Sequence, residues 1–170
     1  MKKGLLLLLI LCLCAPWGAL AQAAPATLTY EPEELDMPAV GLMVYVPADL
    51  QRIDGDEEAF DLGFRYSGSN ANNTFEMDVN VHDSRDMTLS DFAVFYGDRY
   101  GYPQVKEERI NGFDAQRLTD PQRAGDFTIL LAMPDDEAPQ AVYALTFLCN
   151  GETDVRLAEE ILSTLALYGY

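Results

Sequence analysis

The stretch NTFEMDVNVHD, residues 73 to 83, alternates apolar and polar side chains. Phe75, Met77, Val79 and Val81 point one way, while Glu76, Asp78, Asn80 and His82 point the other. A period of two is that of a β-strand with one buried face. Further strands are predicted over GLMVYVP (41–47), AFDLGFRYS (59–67), FTILLAM (127–133) and AVYALTFLC (141–149). TLTY (27–30) predicts an earlier strand followed by an acidic, proline-punctuated loop, and GSNANN (68–73) predicts a turn. AVYALTFLC is apolar on both faces and so belongs in the middle of a covered sheet. Asn111-Gly112, inside VKEERINGFDAQRLT (105–119), predicts a tight hairpin because both residues tolerate positive φ.

The period lengthens to that of a helix in TLSDFAVFYGDRYGY (88–102). Phe92, Phe95, Tyr96 and Tyr100 recur at helical spacing and are expected in the core. Thr88 and Asp91 resemble a capping box, and Gly101 followed by Pro103 stops the helix. A last helix is predicted over TDVRLAEEILSTLAL (153–167), with Thr153 as N-cap and Val155, Ala158, Ile161, Leu162 and Leu165 on the buried side. Short connections favour antiparallel pairing. The expected fold is α+β, a mainly antiparallel sheet covered by two amphipathic helices.

The opening residues stand apart from this pattern. Lys2 and Lys3 precede an apolar run from Leu5 to Leu13, and Ala19-Leu20-Ala21 fits a signal-peptidase site. Residues 1–21 are therefore expected to be a signal peptide, 22–40 a lead-in with the first strand, and 41–170 a single domain. The expected destination is the periplasm, the cell envelope or the medium, with no membrane attachment after cleavage. The formal charge is already −17 and becomes more negative when both lysines leave. So acidic a chain repels phosphate backbones, which excludes nucleic acid. Cys12 and Cys14 leave with the signal, so Cys149 has no internal disulfide partner and packing must stabilise the fold.

Four segments together resemble a known family. VYVPADLQ (44–51), TLSDF (88–92), INGFDAQRL (110–118) and VYALTFLC (142–149) occur in the order seen in the PsbP-like α/β/α sandwich. That fold is shared by the extrinsic photosystem II subunit, by Ran-binding Mog-type proteins and by small exported bacterial proteins. The resemblance implies a non-catalytic accessory or binding domain and carries no catalytic residues with it. The expected partner is an unidentified protein or envelope component, met by a monomer without a cofactor.

Two places nominate chemistry. Alternate residues of a strand lie about 6.6 Å apart, so Glu76, Asp78, Asn80 and His82 can converge on one ion. Carboxylates and an amide suit calcium, whereas histidine suits a transition metal, and the mixture weakens either assignment. The plainer reading is the solvated side of a half-buried strand. Asp54, Asp56 and Glu58 occupy the first three ligand positions of an EF-hand, but Ala59 stands where glycine is required and no closing glutamate follows. A looser calcium-type site is the alternative there. A Cys149–His82 pair on adjacent strands is disfavoured, because cysteine in an apolar strand behaves as a buried hydrophobe. A hydrolase with an unrecognised carboxylate pair is the second alternative.

Overall fold

The computed structural model describes residues 27–52, 65–134 and 136–168. The signal segment, the cut before Gln22, and Asp54, Asp56 and Glu58 lie outside the described residues. Chain order is β1 (Pro32–Met37), a 3-10 turn (Pro38–Val40), β2 (Leu42–Pro47), β3 (Gln51–Arg52), β4 (Arg65–Ser69) and β5 (Phe75–Asp83). Then come α1 (Leu89–Tyr100), β6 (Gln104–Ile110), β7 (Phe113–Thr119), β8 (Phe127–Ala132), β9 (Ala141–Cys149), α2 (Glu152–Leu162) and β10 (Ala166–Leu167). Among the described residues no helix is long and apolar enough to cross a membrane.

Strands β3-β4-β5-β9-β8-β7-β6 form the larger sheet among the described residues, every neighbouring pair antiparallel. β9 holds its centre, which is why AVYALTFLC carries apolar side chains on both faces. A smaller sheet, β1-β2-β10, packs with α2 against one face of the larger one. Phe75, Met77, Val79, Val81, Tyr143, Leu145 and Phe147 line that interface, all almost fully buried. Each contributes about 1.5–3 kcal/mol by burial. α1 packs on the opposite face, setting Phe92, Ala93 and Tyr96 against Leu118, Leu130, Val142 and Ala144. The two helices thus cover opposite faces, while the small sheet sharing the α2 layer has no counterpart in the sequence pattern.

Local rules account for most boundaries. The Thr88 hydroxyl accepts from Asp91 N–H at 3.1 Å, and Gly101, at φ 76°, donates to Gly97 C=O at 2.9 Å. The hairpin turns at Asn111 (φ 49°) and Gly112 (φ 89°), as their side chains allow. Three expectations fail, one being that the last helix stops at Leu162 instead of running to 167, so that Ala166–Leu167 pair as β10. The first strand is not Thr27–Tyr30 but Pro32–Met37, where Leu35 and Met37 face the core between exposed or half-buried acids. Proline and acids, usually loop signals, are tolerated here because β1 is an edge strand. Helix α2 begins at Glu152 with Gly151 as N-cap, not Thr153; the Asp154 carboxylate reaches back to accept from Asn150 N–H at 2.9 Å.

Candidate functional site

Glu76, Asp78, Asn80 and His82 lie side by side on β5, on the face that carries α1. That face is not simply wet. All four residues are half-buried, and the His82 ring packs edge-on against Tyr96 at 5.4 Å and beside Phe92 at 6.1 Å. The alternation alone could not reveal this cover, because α1 reaches His82 only through the tertiary fold. Tyr96 belongs to the core as expected, yet Tyr100, expected beside it, is 45% exposed. Its ring lies 4.3 Å from that of Tyr96, on the solvent side.

Register puts a polar row across the sheet beneath these rings. Ser67, Asp78, Thr146 and Thr128 are direct cross-strand partners on β4, β5, β9 and β8. Ser67 donates to an Asp78 carboxylate oxygen. Thr128 and Thr146 hydroxyls meet at 2.9 Å, Thr128 donates to the Tyr102 hydroxyl at 2.9 Å, and Tyr96 bonds Thr146. Burial pushes the Tyr96 phenol above its ordinary range, with Tyr100, Tyr102 and Asp78 adding to the effect. Tyr102, just past the helix end, is buried in this row. Signs of the row were in the sequence as single polar residues within apolar strands, at Thr128 and Thr146, but only register brings them together.

Two cavities flank the β7–β8 loop. One, about 360 Å³, lies under the C-terminal end of α1 between Asp98, Tyr102 and Asp120. The other, about 280 Å³, is lined by Glu76, Leu148, Asp126 and Asn150 and continues the polar face of β5. Arg123 stands between them. It pairs with Asp120 at 2.9 Å, donates to Gly101 C=O at 3.1 Å and covers the Tyr102 ring at 5.0 Å. That guanidinium and the backbone N–H of Gln122 hold the half-buried Asp120 carboxyl below its usual range, the Gln122 bond contributing most.

Among the described residues no three His, Cys, Asp or Glu side chains gather as a metal site would require, so Glu76, Asp78 and His82 share a face without converging. Cys149 pairs with Phe75 at one end of β5, whereas His82 pairs with Val142 near the other. The two residues also point to opposite faces, because their positions differ in parity along the ladder. Burial, followed by Asp154, Asp126 and Glu159, pushes the Cys149 thiol up to about 12, which leaves it protonated and unreactive at neutral pH. One carboxyl pair escaped the sequence reading. Glu34 and Asp36, alternate residues on β1, share a hydrogen bond that raises Glu34 above the ordinary carboxyl range. Their i, i+2 spacing in PEELDM was the available signal.

No family model and no curated protein matches the chain. The solved structures that resemble it include the following two. A solution structure of cyanobacterial PsbP (CyanoP) from Synechocystis sp. PCC 6803 is 10% identical with a TM-score of 0.51, covering 86% of this chain and 98% of its own. A crystal structure from Bacteroides thetaiotaomicron VPI-5482 is 10% identical with a TM-score of 0.50 and covers 79% of this chain. The present chain spans about half of that protein, 48%. The fold is PsbP-like, as the sequence resemblance implied, and likeness at this identity speaks to fold alone.

Proposed function

We propose that the chain is an exported, acidic, non-catalytic accessory or binding domain of the cell envelope or extracellular space. The binding surface of this reading is the open part of the α1 face. The observation that carries it is that half-buried Glu76 and Asp78 share one strand face, Glu76 lining a cavity of about 280 Å³, while the exposed Tyr100 ring stacks on Tyr96, which feels the Asp78 charge. Carboxylates and an aromatic held on a rigid strand and helix suit a partner that brings positive charge and some apolar surface. Charge balance supports the same partner. Arg52, Arg109, Arg117 and Arg123 are each engaged by carboxylates of the chain itself, so the acidic excess faces outward.

The test has two arms. Expression of the full chain in an exporting bacterium should yield a product beginning at Gln22 outside the cytoplasm, and an uncut cytoplasmic product would sink the exported half of the reading. Immobilised protein should retain a component of an envelope extract that the triple variant Glu76→Gln, Asp78→Asn, Tyr100→Ala loses, with both proteins equally folded. Retention unchanged in that variant removes this face from the proposal. A rise in Tm with calcium but not magnesium, abolished by Asp78→Asn, would favour the cation-binding alternative instead.

A further inference from the structure

The tight turn between β6 and β7 also ties down the C-terminal end of the chain. The side-chain amide of Asn111 donates to the C=O of Ser163 and, at 3.1 Å, to the C=O of Leu165. Those carbonyls belong to the turn that leaves α2 and enters β10. Beyond it, Ala166 and Leu167 pair with Met43 and Leu42, and Tyr168 N–H donates to Gly41 C=O at 2.9 Å.

Asparagine followed by glycine is chemically labile, since glycine puts no side chain beside the backbone nitrogen that attacks. The Gly112 nitrogen bonds to Cγ of Asn111, the Cγ–Nδ2 bond breaks, and ammonia leaves carrying the Gly112 amide proton. Water then opens the cyclic imide at either carbonyl to give aspartate or isoaspartate. Nothing is oxidised or reduced. In the folded chain Asn111 and Gly112 are held at positive φ between the paired Ile110 and Phe113. The amide that must leave is also fixed by two carbonyls.

We propose that Asn111 is a conformation-gated deamidation site: the docked C-terminal turn protects the amide, and the product releases that turn. An aspartate at this place accepts hydrogen bonds and donates none, so it faces two carbonyl oxygens at the negative end of α2. In the aspartate product Asp-Gly suits the same hairpin turn, so β6 and β7 stay paired and the loss falls on residues 163–168, whereas isoaspartate adds a backbone carbon and loosens the hairpin turn as well. The modification is irreversible under these conditions and records how often the C-terminal turn has opened.

Purified protein incubated at mildly alkaline pH, native or in urea, tests this, with a peptide of residues 109–114 as reference. The fragment carrying Asn111 is followed by mass spectrometry. The native rate should be slower than the rate in urea by at least about tenfold, the factor set by roughly 1.4 kcal/mol of opening free energy. Asn111→Asp should raise hydrogen exchange across 163–168 while exchange in β5 and β9 stays at the parent value. Equal rates in native and unfolded protein overturn the gate. Unchanged exchange in the variant overturns the release, and if the variant does not fold, exchange on the naturally deamidated fraction decides that point.

Discussion

The two faces of strand β5 differ more than their shared backbone suggests. Phe75, Met77, Val79 and Val81 face a sheet and a helix and are sealed from water. Glu76, Asp78, Asn80 and His82 face one helix and stay half-exposed. On the first face the energy comes from area removed from water and close packing, which tolerate little change of volume. On the second it comes from hydrogen bonds in register, which tolerate change of shape but not loss of a partner. The sealed face is built for stability, and the half-covered face is the one we propose a partner uses.

Breaking the sealed face should have the largest effect. Phe147 is fully buried and packs its ring against Phe127 at 5.0 Å and Phe75 at 6.2 Å. Phe147→Ala is expected to cost about 3–5 kcal/mol, read as a lower urea midpoint with an unchanged slope. On the other face, Thr128→Val keeps the shape but strands the Tyr102 hydroxyl and leaves the Thr146 hydroxyl only its Tyr96 partner. It should cost about 1–2 kcal/mol by the same measurement.

Alkaline pH gives a finer comparison, because the Cys149 thiol sits on the sealed side. Its pKa in the fold is raised to about 12, against about 8.5 in an unfolded chain. Folding therefore favours the neutral thiol. This part of the stability is complete below about pH 8.5 and is lost as pH rises toward the folded value. The urea midpoint should fall between about pH 8 and about pH 10, and Cys149→Ala should fall less steeply. Tyr66 and Tyr143, also raised by burial, add to the alkaline loss nearer their own range. Identical slopes for parent and variant would show that the thiol is not sealed. The smallest effect is expected for Asp78→Asn, which still accepts from Ser67 and should change stability by less than about 1 kcal/mol. A much larger loss would mean that Asp78 is structural, and the contrast between the two faces would collapse.

Much of the fold was legible because it is written in local terms. The alternation from Phe75 to His82, the Thr88 cap, the Gly101 stop and the Asn111-Gly112 turn each depend on neighbours in sequence. The first strand was misplaced because Pro32 and Glu33 carry loop signals that an edge strand overrides. Tyr100 lies outside the expected core for a related reason. Helical spacing assigns a face but does not say where a helix ends relative to the sheet beneath it.

The sequence by itself determined the acidic balance, the periods of its strands and helices, the single cysteine remaining after the proposed cut and the tight turn at residues 111–112. These follow from covalent composition and short-range sterics, so no distant part of the chain can alter them. Only the tertiary structure decided that Ser67, Asp78, Thr146 and Thr128 form one row, that α1 half-covers it, and that Asn111 reaches the end of α2. Such meetings join residues tens of positions apart. They are set by strand order and register, which come from burying both sheets and both helices together, and no local period encodes that collective choice.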